Sequence, residues 1–117
     1  NMAVGEFHKD SDYSHPIEEI NFWVPVTKCF DTNTIWVETY PNSGDHEPIN
    51  LDYGEIFIFS GGVLSHGNKK NITGRTRVSF DFRVIRSEIY NNERFSSTGS
   101  SIINNTEFLA GEYYDKL

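Results

Sequence analysis

Two short stretches of the sequence carry side chains that could bind one metal ion together. His8-Lys9-Asp10 places an imidazole and a carboxylate two residues apart, and such positions share a face of a β-strand. His66 follows an aromatic segment and the Gly61-Gly62 turn, where the chain could return to the same site. Two histidines and one carboxylate on one face of an octahedron suit non-haem Fe(II) oxygenases, although zinc, manganese and nickel accept the same ligands.

An arginine and a serine downstream of His66 could bind an organic acid. Arg77 and Ser79 share a strand face, and a guanidinium grips a carboxylate bidentately while a hydroxyl adds another donor. A metal beside such a clamp suits a keto-diacid, whose 2-oxo and 1-carboxylate oxygens would chelate the metal. Arg75 alternates in phase with Arg77 and is the second candidate for the clamp.

The elements that must position these residues are short extended segments separated by turn residues. No segment has a helical period, and many short strands with Gly, Pro and Asn turns indicate a sandwich or barrel. The main predicted strands are Glu19–Val24, Thr34–Tyr40, Glu55–Phe59 and Arg75–Ile85, with shorter ones at Val4–His8, Pro48–Leu51 and Val63–His66.

The last long strand alternates between a polar and an apolar face. Val78, Phe80 and Phe82 fall on one side, and the polar residues with Arg77 fall on the other. Polar residues along a strand can line the mouth of a small barrel, and we expect this of Arg77 and Ser79. Asp81 and Arg83 are expected on a solvated face, as a cross-strand polar network that could also support the metal ligands. His15 and His46 are expected to be ordinary loop histidines.

Composition bounds the class of protein. The chain has 117 residues, which predicts one domain over residues 1–117. It has 10 Lys and Arg against 17 Asp and Glu, a formal net charge of −7, which argues against nucleic acid or an anionic membrane as partner. A single cysteine and the lack of a long apolar run predict a cytoplasmic protein that neither crosses nor binds a membrane.

These motifs together resemble the 2-oxoglutarate/Fe(II)-dependent dioxygenase superfamily. The family pattern is H-x-D/E, a distal His and then an Arg, often as R-x-S, and it is present here in order. The chain is also similar to the StrG-like oxygenases of streptomycin-biosynthesis clusters. The stretches that carry this closer similarity are Gly5–Asp10, Glu19–Pro25, Asn33–Glu38, His66–Asn68 and Thr73–Arg83.

The resemblance implies an all-β double-stranded β-helix, a jelly-roll or cupin-like fold, and a role for each motif residue. Fe(II) would be held by His8, Asp10 and His66. Arg77, helped by Ser79, would pair with the distal carboxylate of 2-oxoglutarate, and Asn21 and Trp23 would line the cosubstrate or substrate pocket. The implied reaction hydroxylates a small molecule with dioxygen and releases succinate and CO2.

Family members carry a strand and helices ahead of the H-x-D strand, whereas His8 lies near the first residue here. We therefore expect an N-terminally truncated domain with an unpaired sheet edge. The apolar tail (Ile102, Ile103, Phe108, Leu109, Tyr113, Tyr114) or a second chain, giving a homodimer, would cover that edge.

Two other classes of protein fit parts of the pattern. One is a metal-binding cupin that uses no 2-oxoglutarate; its usual signature is H-x-H with a nearby Glu, and it leaves Arg77 without a role. The other is a non-catalytic jelly-roll binding module. Binding of 2-oxoglutarate separates the oxygenase from both, and failure to bind metal favours the binding module.

Overall fold

The computed structural model describes residues 5–90, with the backbone of residues 99–100 and 107–108. Its strands are β1 (Ile20–Pro25), β2 (Ile35–Glu38), β3 (His46–Pro48), β4 (Phe57–Phe59), β5 (His66–Asn68), β6 (Ser79–Val84), β7 (Gly99–Ser100) and β8 (Glu107–Phe108). A short helix, α1 (Ser87–Tyr90), follows β6, and single 3₁₀ turns cover Asp10–Tyr13 and Asp31–Asn33. The all-β prediction is confirmed.

The strands form two antiparallel three-stranded sheets and one hairpin. Sheet I has the order β4-β1-β6, sheet II has the order β3-β2-β5, and β7 pairs with β8. In sheet I, Asn21 lies opposite Phe59 on one side and Arg83 on the other. In sheet II, His66 lies opposite Val37. The double-stranded β-helix, the single domain over 1–117 and the homodimer stay predictions.

The main predicted strands correspond to β1, β2, β4 and β6, each shifted or shortened at its ends. The prediction for β6 began too early, because the backbone N–H of Val78 donates to the Thr27 hydroxyl at 3.0 Å instead of continuing the ladder. The predicted strand Val63–His66 is wrong, since Val63 and Leu64 turn back to the Ser60 carbonyl and pairing starts at His66. The predicted strand Val4–His8 contributes one bridge, from His8 to His66.

The core between the sheets mixes apolar and polar side chains. Its buried apolar residues are Trp23, Cys29, Ile35, Val37 and Phe59. Buried polar residues slightly outnumber them among the described residues: Asp10, Glu19, Asn21, Asn33, Thr34 and Glu38. Buried polar groups are costly unless they are paired, so these side chains must be held by specific partners.

Sheet I also carries apolar side chains on its outer face. Phe22 lies between Ile58 and Phe82 in the register, and the Phe22 and Phe82 rings stack with centroids 5.0 Å apart. Ile58, Phe80 and Phe82 are each exposed by 45–55%. Ser79 and Arg83 of β6 therefore point inward, as does Arg77 just before the strand; an inward position was expected of Arg77 and Ser79 but not of Arg83.

Part of the sequence reading falls outside the described residues. The tail side chains expected to cover a sheet edge, from Ile102 to Tyr114, lie outside the described part of the chain. In the part of the chain that the structure describes, no helix combines the length and apolar character needed to cross a bilayer.

Two phenylalanines on opposite faces of sheet I test this orientation. Phe59 is 8% exposed and Phe80 is 54% exposed. We expect Phe59→Ala to lower the free energy of unfolding by about 3–5 kcal/mol and Phe80→Ala by about 1 kcal/mol, because only the first leaves a cavity. Urea unfolding of both variants measures the difference. If Phe59→Ala does not fold, Phe59→Leu against Phe80→Leu gives the same comparison. Equal costs would contradict the orientation.

Candidate metal centre

Three side chains converge on one point between the sheets. The Nε2 atom of His66 lies 3.3 Å from Oδ1 of Asp10, and the Nε2 atom of His8 lies 3.6 Å from the same oxygen. One donor atom from each of the three residues lies within 4.8 Å of the others. The sequence reading placed these residues together, and the structure brings them to one site that could hold a metal ion.

The backbone brings His8 and Asp10 to His66 through a short antiparallel contact. His8 and His66 exchange both backbone hydrogen bonds, at 3.0 and 2.8 Å, and the Asp10 N–H donates to the Gly61 carbonyl at 2.8 Å. The next segment leaves the strand direction at once, since Asp10 begins a 3₁₀ turn. Asp10 therefore points into the protein and is 2% exposed.

A turn in sheet II fixes the start of β5, where His66 lies. The Glu38 carboxylate accepts the N–H of Ser65 at 3.1 Å and the N–H of Gly44 at 2.9 Å. These backbone hydrogen bonds lower the pKa of Glu38 and keep it charged. One buried carboxylate thus ties the β2–β3 turn to the residue that precedes the ligand.

Each imidazole is oriented by a backbone carbonyl. The Nδ1 atom of His8 lies 2.7 Å from the Glu6 carbonyl oxygen, and the Nδ1 atom of His66 lies 3.0 Å from the Leu64 carbonyl oxygen. Because a carbonyl oxygen only accepts, Nδ1 carries the proton in both rings. In a neutral ring the lone pair would then be on Nε2, the atom that faces Asp10, whereas a protonated ring donates from Nε2 to the carboxylate. Metal-binding histidines are held in this way.

The two oxygens of Asp10 have different surroundings. Oδ1 faces the imidazoles, whereas Oδ2 accepts hydrogen bonds from the Asn21 amide at 2.6 Å and from Nε of Arg83 at 3.1 Å. The Asn21 carbonyl oxygen in turn accepts the Gly61 N–H at 3.2 Å. Oδ2 is therefore held by the protein, which leaves Oδ1 as the oxygen that could bind a metal.

The pKa values of the site follow from these contacts. Burial alone would raise the pKa of Asp10, but hydrogen bonds from His66, His8, Arg83 and Asn21 outweigh it and hold the pKa far below its usual range. The hydrogen bond with Asp10 raises the pKa of His8 above its ordinary 6.5, against the opposing effect of burial. Asp10 is thus a carboxylate at every physiological pH.

The donor set fits a first-row divalent metal. With bonds of about 2.1 Å, neighbouring ligands of an octahedral ion lie about 3.0 Å apart. The observed Nε2–Oδ1 separations of 3.3 and 3.6 Å are slightly larger than this spacing. Imidazole and carboxylate together suit iron, zinc, manganese or nickel, so the donor set does not by itself select among them.

A second buried carboxylate, Glu19, lies near the site and contacts His15 and Arg83. Glu19 is 1% exposed, and its Oε2 lies 2.9 Å from Nδ1 of His15 and 3.7 Å from Nε of Arg83. Arg83 thus lies between two buried carboxylates, Asp10 and Glu19.

The sequence reading missed Glu19 and His15, and it gave Arg83 a role in supporting the metal ligands only as an alternative. Arg83 was expected on a solvated face, but its side chain is 21% exposed and contacts Asp10; Asp81 is half-exposed, as expected. His15 was expected to be a loop histidine, yet its side chain is 9% exposed and pairs with Glu19. The sequence contained one signal for Arg83. It lies an even number of residues from Arg77 in the predicted strand, so the two side chains share a face.

The remaining predicted residues lie on the inner face of sheet I. Asn21 and Trp23 are 2% and 5% exposed. Nη1 of Arg77 donates to Oδ1 of Asn68 at 2.7 Å and to the Asn33 carbonyl at 3.4 Å, and the guanidinium carbon lies 5.8 Å from the centre of the Trp23 ring. Ser79 is half-buried opposite Pro25.

Fold and site define an all-β chain with a His-Asp-His group that could hold a metal ion. The chain is similar to the streptomycin biosynthesis protein StrG of Streptomyces griseus, with 40% identity over 115 residues. The matched region is 97% of this chain and 52% of the relative, so the chain spans about half the length of the curated relative it matches. No family model matches the sequence.

Asn21 offers a direct test of how Asp10 is held. We expect Asn21→Ala to weaken Co(II) or Zn(II) binding roughly 10- to 100-fold, because Oδ2 of Asp10 loses a donor and the carboxylate can rotate. Calorimetric titration of the metal measures this effect. The matched control is Asn50→Ala, which removes an exposed asparagine whose side chain also accepts a backbone N–H. Equal metal affinity in the two variants would contradict a positioning role for Asn21.

Proposed function

We propose that this chain is a 2-oxoglutarate-dependent oxygenase of the double-stranded β-helix superfamily, with Fe(II) held by His8, Asp10 and His66. The observation that carries the proposal is the place of Arg77. Its guanidinium contacts Asn68 of β5 and Trp23 of β1. These two strands also carry His66 and Asn21 of the candidate metal centre.

Along both strands, the residue that contacts Arg77 lies two positions from a residue of the candidate metal centre. Along β5, Asn68 lies two residues beyond His66 and accepts a hydrogen bond from Arg77. Along β1, Trp23 lies two residues beyond Asn21, and its ring lies beside the Arg77 guanidinium. Two residues of a strand span about 6.6 Å. A five-carbon diacid chelated at the metal would extend over a comparable distance to reach the arginine.

The residues around the Arg77 guanidinium would have different roles in binding 2-oxoglutarate. Arg77 uses Nη1 for Asn68 and Asn33, which leaves Nη2 and Nε as donors for the distal carboxylate of 2-oxoglutarate. Ser79 follows Arg77 by two residues, on the same face of the strand, and adds a hydroxyl. Trp23 and Phe59 form apolar walls, and the Phe59 ring lies 5.1 Å from that of His66. These walls exclude water from the reacting groups.

The bound Fe(II) would supply the activation of dioxygen. One oxygen atom of O2 enters the succinate formed as 2-oxoglutarate loses CO2, and the other enters the hydroxyl group of the product. The protein contributes orientation: Asn21 and Arg83 hold Oδ2 of Asp10, and backbone carbonyls hold both imidazoles. The ligands are therefore fixed before the cosubstrate arrives.

The name of the relative supports a proposal for the substrate class. StrG is named as a streptomycin biosynthesis protein, and streptomycin is an aminoglycoside. We therefore propose a small polar metabolite of the sugar or cyclitol type as the molecule that is hydroxylated.

The first test is the visible charge-transfer band that forms when 2-oxoglutarate chelates Fe(II) in the absence of oxygen. We expect the band in the wild-type chain, and we expect Arg77→Ala to weaken 2-oxoglutarate binding roughly 10- to 100-fold, the effect of losing a charged hydrogen-bonded pair. Arg86→Ala, which removes an exposed arginine beyond β6, is the matched control and should leave the affinity unchanged.

Two results would overturn the proposal. One is the absence of the band in folded protein that has bound Fe(II), which would leave a metal-binding cupin without 2-oxoglutarate. The other is the absence of Fe(II) binding, which would leave a non-catalytic binding module. Equal weakening by Arg77→Ala and Arg86→Ala would show that charge alone, and no specific clamp, determines the affinity.

A further inference from the structure

A cavity lies where β1 ends and β6 begins, apart from the candidate metal centre. It has a volume of about 610 Å³ and is lined by Thr27, Lys28, Phe30, Arg75 and Thr76. Ligand cavities in proteins typically measure about 300–1,000 Å³. We propose that this cavity, named here the basic cavity, binds a small phosphate monoester. The proposal does not rest on the proposed function, because none of the lining residues belongs to the candidate metal centre.

The walls of the basic cavity are held together by specific contacts. The Val26 N–H donates to the Val78 carbonyl at 2.9 Å, and the Val78 N–H donates to the Thr27 hydroxyl at 3.0 Å. These bonds keep the segment after β1 beside the segment before β6. Thr27, Lys28 and Phe30 therefore face Arg75 and Thr76 across a fixed gap.

The loop that carries Arg75 is also fixed. The Asn71 amide donates to the Arg75 carbonyl at 2.8 Å, and the Arg75 N–H donates to the Thr73 hydroxyl at 3.1 Å. Gly74 permits the turn with a φ of +70°. The Ile72 N–H donates to the Thr32 hydroxyl at 3.1 Å, which ties this loop to the turn after Phe30. The backbone of Arg75 is thus placed before any ligand arrives.

The chemistry of the lining selects an anion. The chain has a net charge of −7, yet two of its 10 basic residues, Lys28 and Arg75, line this one cavity. Lys28 pairs with Asp52 at 3.2 Å, but both partners are about two-thirds exposed, so this ion pair is weak. Among the described residues, the Arg75 guanidinium makes no ion pair or side-chain hydrogen bond.

A phosphate monoester uses the whole lining. Arg75 can donate two parallel hydrogen bonds to phosphate oxygens, and Lys28 adds a point charge. The Thr76 hydroxyl supplies a further donor, whereas the Thr27 hydroxyl donates to the Val78 carbonyl at 3.5 Å and holds the wall in place. Phe30 provides an apolar wall for the organic part of the ligand. A dianion gains more than a carboxylate from two cations, which favours phosphate over a simple acid.

The test is a titration of the metal-free chain, in the presence of EDTA, with phenyl phosphate, followed by calorimetry and by amide chemical shifts. We expect binding, with shifts at Thr27, Phe30 and Thr76. Arg75→Gln should weaken the affinity about tenfold or more. Lys70→Gln removes an exposed lysine near the same loop and should change the affinity less than about twofold. Phenol, which lacks the phosphate, should bind far more weakly.

Three results would overturn the proposal. The first is no binding of phenyl phosphate to the folded chain. The second is equal weakening by Arg75→Gln and Lys70→Gln, which would indicate only a general attraction of charge. The third is loss of the 2-oxoglutarate charge-transfer band in Arg75→Gln together with displacement of phenyl phosphate by 2-oxoglutarate. That result would assign the cavity to the cosubstrate instead of a second ligand.

Discussion

The Asp10 carboxylate is the group on which the site depends. A carboxylate that is 2% exposed is costly to bury and must be matched by donors. Here the match comes from both sheets: His66 belongs to sheet II, whereas Asn21 and Arg83 belong to sheet I. Asp10 therefore joins the sheets by polar contacts at the point where an all-apolar core would join them by packing. The same contacts divide its oxygens into one that is held and one that faces the imidazoles.

The close approach of the Gly61 turn follows from this constraint. A Cβ atom at Gly61 would lie 2.6 Å from both Oδ2 of Asp10 and the Asn21 amide nitrogen. The Gly61 backbone also accepts from the Asp10 N–H and donates to Asn21. Only glycine lets this turn contact the carboxylate and its partner so closely. The turn between β4 and β5 thus positions Asp10 as well as leading the chain to His66.

The sequence predicted the strands of sheet I and the residues that converge on the site, but not the partners of Asp10. Alternation along β6 separates a polar from an apolar face without stating which face is buried. The usual preference for burying phenylalanine points the wrong way here, because two buried carboxylates, Asp10 and Glu19, require Arg83 on the inner side. Such a requirement comes from residues distant in sequence, so no local pattern contains it. The start of β5 was also predicted wrongly. The Ser60 carbonyl accepts hydrogen bonds from the N–H groups of Val63 and Leu64, so these residues form a turn and not a strand.

The end of the β1–β6 ladder leaves two arginines of the same phase in different surroundings. At Val78 the Thr27 hydroxyl replaces a backbone partner, so the residues before Val78 lie outside the ladder. Arg77, next to this point, still turns inward to Asn68 and the Trp23 ring. Arg75, two residues further from the ladder, lines the basic cavity with Thr27 and Phe30. Alternation in the sequence therefore does not determine where an arginine points once the chain has left the ladder.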